Sequence, residues 1–206
     1  MNDTDFIEVE LKLLVDDLEA VAARLAAAGA ELVVRRIYES NVRYNDSEGT
    51  LSARGIVLRL RQDQITRLTY KEPVAQLEED MSRRFEAEVE IKNFHTMDVI
   101  LRKLGFNPYV AYEKYRTTYT LDRTEIVLDE LPFGNFVEVE GAPEAIRAVI
   151  KRLGLEDMAR YRETYLQLFD RVKDHLGLDF QDLTFENFRE ISVPESAFGP
   201  PVNIQT

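Results

Sequence analysis

A chain of 206 residues with 26 Lys and Arg against 38 Asp and Glu, formal net charge −12, has the length for one substantial domain and lacks the positive face of a general nucleic-acid or anionic-membrane binder. The absence of cysteine removes disulfides, thiolate zinc sites and cysteine nucleophiles, and two histidines, His95 and His175, are too few for a histidine-rich metal site. No apolar run approaches the ~20 residues of a membrane span and the acidic M-N-D-T-D start has no apolar core, so a cytoplasmic protein is expected, with any metal being a hard cation on carboxylate oxygens.

The first element, Phe6 to Leu13, alternates strictly: Ile7, Val9, Leu11 and Leu13 share one face of a strand, and Glu8, Glu10 and Lys12 share the other. Such a charged face either meets bulk water or lines an enclosed polar cavity while the aliphatic face packs under helices. Asp16 to Ala28 has helical spacing, with Asp16 or Asp17 near its cap and Gly29 past its end. Glu31 to Tyr44 reads as a long strand and Asn45 to Gly55 as a loop. Ile56 to Gln62 places Arg59 and Arg61 on one face, and Arg67 to Glu72 is its hairpin partner, contributing Lys71.

After an acidic connection, Arg83 to Lys92 puts Arg84, Glu86, Glu88 and Glu90 on one face. Thr96 to Leu104 is a short amphipathic helix with His95 at its start, and the strand from Asn107 to about Leu121 pairs Lys114 with Arg116 on one face. Glu125 to Glu130 and Phe136 to Glu140 are strands around L-P-F-G-N, carrying Asp129, Glu138 and Glu140. Pro143 to Leu153 and Met158 to Leu176 are predicted helices, the second carrying Tyr161 and Tyr165 one turn apart as packing residues. Residues 177–206 form a tail with Phe180, Phe185, Phe188, Phe198 and three prolines, expected to lie against the main domain of residues 1–176.

The order predicts an α+β fold: an eight-stranded antiparallel β-barrel, or tunnel, with a charged interior and helices packed outside. Alternating charge recurs in at least five strands, which favours the enclosed reading. Lys12, Arg59, Arg61, Lys71, Lys114 and Arg116 converging on one cavity suit a ligand with several negative charges, since Arg grips phosphate oxygens bidentately. Carboxylates two apart on a strand suit divalent cations bridging to phosphate.

The motifs then become specific. Glu8-x-Glu10-x-Lys12 is followed in order by Leu51 and Gly55 before L-R-L-R (58–61), T-Y-K (69–71), Arg84 to Glu90 as R-x-E-x-E-x-E, K-Y-R (114–116), V-L-D (127–129), G-N-F-V-E-V-E (134–140) and R-E-T-Y-L-Q-L-F (162–169). Over about residues 5 to 170 the chain resembles the CYTH superfamily, the triphosphate tunnel metalloenzymes, and is most similar in look to class IV adenylate cyclases. The resemblance implies Mg²⁺ or Mn²⁺ on Glu8, Glu10, Glu86, Glu88, Asp129, Glu138 and Glu140. It implies a triphosphate grip of Lys12, Arg59, Arg61, Lys71, Lys114 and Arg116, with Lys12, Lys71 and Arg116 also catalytic. The second strand departs from the Q-x-D-x-Y of many relatives, having Glu39-Ser-Asn41-Val-Arg43, so that Arg43 enlarges the basic set.

The implied partner is a small triphosphate (ATP, tripolyphosphate or thiamine triphosphate), with no nucleic acid, no membrane and a homodimer as one assembly. Conversion of ATP to cyclic AMP and pyrophosphate is the leading expectation. A triphosphatase releasing orthophosphate is the alternative, and a non-catalytic nucleotide or polyphosphate binding module is the reading outside enzymology.

Overall fold

The computed structural model describes residues 6–202; the first five residues and the last four of the tail lie outside the described residues. Nine strands and five α-helices are laid out as β1 (Ile7–Val15), α1 (Leu18–Ala27), β2 (Glu31–Asn45), α2 (Thr50–Ala53), β3 (Val57–Gln62), β4 (Thr66–Pro73) and β5 (Ser82–Ile91). The chain continues with α3 (Phe94–Lys103), β6 (Asn107–Leu121), β7 (Thr124–Leu131), β8 (Gly134–Glu140), α4 (Pro143–Arg152), β9 (Arg160–Tyr161) and α5 (Tyr165–Leu176).

Every ladder between these strands is antiparallel, in the order β5-β4-β3-β2-β6-β7-β8-β1, and β1 pairs back to β5 to close an eight-strand ring. Strand β1 carries the closure. One edge pairs with β8 from Glu10↔Glu140 to Val15↔Asn135, and the other is divided between β5, from Ile7↔Phe85 to Glu10↔Ser82, and the two-residue β9 at Lys12↔Tyr161. Ring closure leaves few free edge groups and forces alternate side chains inward.

The outward faces are covered by helices. Leu11, Leu13, Ile126, Leu128, Val137 and Val139 pack under Val21 and Leu25 of α1 and Ile146, Val149 and Ile150 of α4. On the other side Leu101 of α3 packs with Tyr44, Leu58 and Leu60. Asp17 caps α1 by accepting from the Ala20 N–H at 3.0 Å, and Asn93 caps α3 by accepting from Thr96 at 2.8 Å.

A third cluster closes one end of the ring. Alternation puts Leu14 and Phe136 on the inward faces that carry Lys12 and Glu138, and both pack in an aromatic plug with Tyr165 and Phe169 of α5 and Leu183, Phe188 and Phe198 of the tail. Phe198 contacts three rings, Phe133, Phe136 and Tyr161, at 5.4, 5.8 and 6.2 Å. The tail is therefore part of the core, with a short 3-10 turn at Glu195–Phe198 and the Val202 N–H donating to the Arg160 carbonyl at 2.9 Å.

Two predicted elements change. The helix expected over Met158 to Leu176 begins only at Tyr165: the Thr164 side chain accepts from the Gln167 N–H, and the Gln167 side chain accepts from the Thr164 N–H, a capping box that fixes the start. The preceding residues extend to pair with β1, so Tyr161 lies in β9 and shares no helix face with Tyr165. The loop from Asn45 to Gly55 contains the single helical turn α2.

Phe198→Ala should cost about 3–5 kcal/mol by urea or thermal unfolding, the usual penalty for truncating a fully packed phenylalanine. A loss below about 1 kcal/mol would mean that the tail rests on the ring without completing its core.

Candidate active site

Inside the ring is a cavity of about 360 Å³ lined by eight lysines and arginines and seven glutamates. Glu8, Glu10 and Lys12 reach it from β1, Arg59 and Arg61 from β3, Lys71 from β4, Arg84, Glu86 and Glu88 from β5, Lys114 and Arg116 from β6, and Glu138 and Glu140 from β8. Of the residues predicted for metal and substrate, only Asp129 does not line it. Glu90, grouped with that face in the sequence, is also absent from the lining and is exposed.

Asp129 lies behind the cavity wall, fully buried. Its carboxylate accepts from Arg116 Nε at 2.7 Å and Nη2 at 2.5 Å, from Lys114 Nζ at 3.0 Å and from the Tyr165 hydroxyl at 2.8 Å. Burial opposes its ionisation, but Arg116 and Lys114 win and hold it well below the usual aspartate range. It thus fixes two bases of the cavity and the first residue of α5.

The remaining bases are interleaved with acids. Lys71 Nζ lies 2.5 Å from both Glu8 and Glu86, while Lys12 Nζ lies 3.1 Å from Glu138 and 3.5 Å from Glu10. Arg116 Nη2 also reaches Glu138 at 2.9 Å. Arg59 donates to the Tyr112 hydroxyl at 3.0 Å and to Thr69 at 3.1 Å, and Arg61 pairs with Glu88 at 3.0 Å. At the rim Arg84 donates to the Gly55 carbonyl at 2.8 Å. Gly55 has φ +69°, and a Cβ there would stand 3.0 Å from Pro73, so glycine permits this close turn.

The acids divide electrostatically. Burial works against the Glu138 carboxylate, yet Lys12 and Arg116 hold it down to about 2. Glu140 is pushed up to about 8 by burial and by its neighbours Glu8 and Glu125, and Glu8 and Glu10 are raised by burial that their lysines only partly offset. Glu10 and Glu140 are directly opposed in the β1–β8 ladder, so acids crowd one wall. Hard carboxylate oxygens with unrelieved mutual repulsion fit a divalent cation. As the side chains stand, no three acidic or histidine groups among the described residues surround a common point, because Lys71 and Lys12 lie between them.

Glu125 of β7, Tyr112 of β6 and Thr164 before α5 are polar cavity residues outside the metal and grip sets read from the sequence. Glu125 shares strand parity with Asp129, four residues on, and so was open to the same alternation argument. Arg43, proposed from the second-strand departure, does line the cavity. Glu39 and Asn41 on the same face are buried, Glu39 lying 3.5 Å from Lys114.

The CYTH domain pattern matches residues 7–168, more than three quarters of the chain. The chain belongs to the CYTH domain family. A relative from Methanocaldococcus jannaschii, MJ0240, provisionally named an adenylate cyclase, is 26% identical over 174 residues, covering 79% of this chain and 98% of its own. A Vibrio parahaemolyticus structure, also provisionally named an adenylate cyclase, superposes with TM-score 0.67 at 22% identity, covering 80% of this chain and 98% of its own. The Hippeastrum protein HpAC1, a provisional adenylyl cyclase described as having a dominant triphosphatase activity, superposes with TM-score 0.58 at 20% identity over 79% of this chain and 95% of its own. The CYTH ring, helices outside and polar interior, is thus the fold of this chain. No helix among the described residues is long and apolar enough to cross a membrane.

Asp129→Asn should destabilise the protein by about 3–5 kcal/mol, because Lys114 and Arg116 would keep their buried charges without the shared, closest counter-ion, leaving only Glu39 and Glu138 among the described residues. The folded-state pKa of Asp129 is depressed, so its contribution is complete above the unfolded value of about 3.9 and is lost as pH falls towards the folded one. Unfolding free energies measured from about pH 6 to pH 3 should fall less steeply for the variant than for the wild type. Parallel slopes would contradict the assignment.

Proposed function

We propose that this CYTH protein is a divalent-metal-dependent phosphoryl-transfer enzyme acting on a triphosphate, in the manner of class IV adenylate cyclases: ATP to cyclic AMP and pyrophosphate. The observation that carries the reading is the mixed lining of one cavity inside the ring, eight bases with seven acids. A triphosphate entering alone would gain the bases but leave the acids repelled, and cations alone would do the reverse. Triphosphate and divalent cation entering together satisfy both sets.

Glu8, Glu10, Glu138 and Glu140 would hold the cation, with Glu86 and Glu88 supplying further oxygens from β5. When bound, Mg²⁺ or Mn²⁺ neutralises phosphate charge and polarises the reacting phosphorus centre. Arg59, Arg61 and Lys114 bind non-bridging oxygens and fix the chain of phosphates along the channel. Lys12, Lys71 and Arg116 exchange part of their carboxylate pairing for oxygens that gain charge as the phosphoanhydride breaks. In the cyclase reaction the 3′-hydroxyl oxygen bonds to the α-phosphorus, its proton leaves, and pyrophosphate departs with the bridging oxygen. Asp129 acts through Lys114 and Arg116 as a positioning residue.

A second reading is a triphosphatase, in which water attacks the terminal phosphorus and orthophosphate leaves. The dominant activity of HpAC1 favours it, since the same fold there carries a cyclase name. Both reactions draw on the same charge neutralisation.

Products resolved after incubation with ATP, tripolyphosphate and thiamine triphosphate plus Mg²⁺ or Mn²⁺ test the proposal. Cyclic AMP with pyrophosphate supports the cyclase, orthophosphate the hydrolase, and no product from any of the three rejects both in favour of sequestration. Glu10→Ala should reduce metal-dependent turnover by at least about 100-fold, and Arg59→Ala should raise KM about 10- to 100-fold through loss of a charged hydrogen bond. Full activity in both variants would refute the site.

A further inference from the structure

A second chamber of about 330 Å³ adjoins the first. Arg43, Val57, Arg84, Thr164 and Leu166 face both, so a ligand held by the charged cavity can continue into it. The lining changes character there. Tyr109, Val110 and Phe169 supply aromatic and aliphatic surface, Ser52 and Gln167 supply hydrogen-bonding groups, and the charged groups are Arg43, Arg84 and Lys173 against Asp170 alone. Arg43 stands at the junction, its guanidinium carbon 6.0 Å from the Tyr109 ring centroid, and its buried Nε has no protein partner among the described residues.

Two walls of this chamber, the start of β6 and the first turns of α5, are tied together by the tail. The Gln181 side chain donates to the Tyr109 carbonyl, and Asp182 accepts from the Ala111 N–H at 2.8 Å. Leu183 donates to the Ala111 carbonyl and accepts from the Glu113 N–H, both at 3.0 Å. On the other side Phe180 and Phe188 pack on Phe169 at 6.0 and 5.9 Å. These tail residues lie beyond the end of the CYTH match at residue 168.

We infer that the second chamber takes the organic end of the triphosphate, an uncharged heterocycle such as a nucleobase, and that tail residues 180–188 set this specificity by fixing its walls. The inference rests on the triphosphate reading of the first chamber. A neutral ring stacks on Tyr109 with its edge towards Ser52 and Gln167, and the Arg43 cation bridges ring and phosphate. Inorganic tripolyphosphate has nothing to place there. A cationic heterocycle meets three bases for one acid, so it gains no comparable attraction.

Calorimetric titration of the full chain in Mg²⁺ tests this with two analogues whose bridging oxygens are methylene groups, one of ATP and one of tripolyphosphate. The ATP analogue should bind at least about tenfold more tightly, the scale of one base–aromatic stack. Tyr109→Ala and Gln181→Trp should each remove about that factor for the ATP analogue and leave the tripolyphosphate analogue unchanged, which also reports an intact fold. Equal wild-type affinities, or variants that weaken both analogues in parallel, would overturn the second-chamber inference while the triphosphate reading stands. If neither analogue binds the wild type, the triphosphate reading falls and this inference with it; binding of the tripolyphosphate analogue alone overturns only the second-chamber inference.

Discussion

The buried carboxylate of Asp129 is the constraint on which the cavity depends. It collects Arg116, Lys114 and Tyr165, so one ionised group from β7 fixes two bases of β6 and the entry of α5 into the ring. Without that anion, two cations on a water-poor wall would repel each other and lose solvation together. With it, the Tyr165 ring sits 4.8 Å from the Lys12 ammonium and 5.5 Å from that of Lys114, joining the polar channel to the aromatic plug. The tail then packs on the same plug through Phe198.

Charge in the channel is close to balanced yet unevenly placed. Glu138, between Lys12 and Arg116, is held ionised, while the Glu8, Glu10 and Glu140 side is short of positive charge. Lys71 spans Glu8 and Glu86 as a removable counter-ion. Such an interior costs solvation in its resting form, and a metal–triphosphate pair relieves both signs at once. The phosphoryl chemistry proposed for the chain follows from that economy of charge more than from any single residue.

The ring was legible in the sequence because β1, β3, β5 and β8 alternate through their charged stretches, although β2 shifts register against β6. Glu8, Glu10 and Lys12 against Val9, Leu11 and Leu13 leave one arrangement that buries the aliphatic side, and the same parity placed Arg59, Lys71, Lys114 and Glu138 in the cavity. Parity gives the face but not the depth: Asp129 shares the inward face yet is sealed behind Arg116, a distinction that needs the neighbours' side chains. The helix start at Tyr165 was written in Thr164 and Gln167, but the apolar residues before it continued a helical pattern and masked the cap. The tail's phenylalanines have no period because they pack as an irregular segment into a cluster assembled from β8, α5 and the loop at Phe133, so no local rule could place them.

The central claim is that acids and bases from separate strands act as one site for a polyanion with its cations. Linked titration tests it most directly: tripolyphosphate affinity measured across a series of Mg²⁺ concentrations, and Mg²⁺ affinity measured with and without tripolyphosphate. The account predicts reciprocal enhancement of at least about tenfold, since each ligand neutralises the groups that repel the other. Affinities that are independent of each other, or that oppose each other beyond simple chelation in solution, would contradict it.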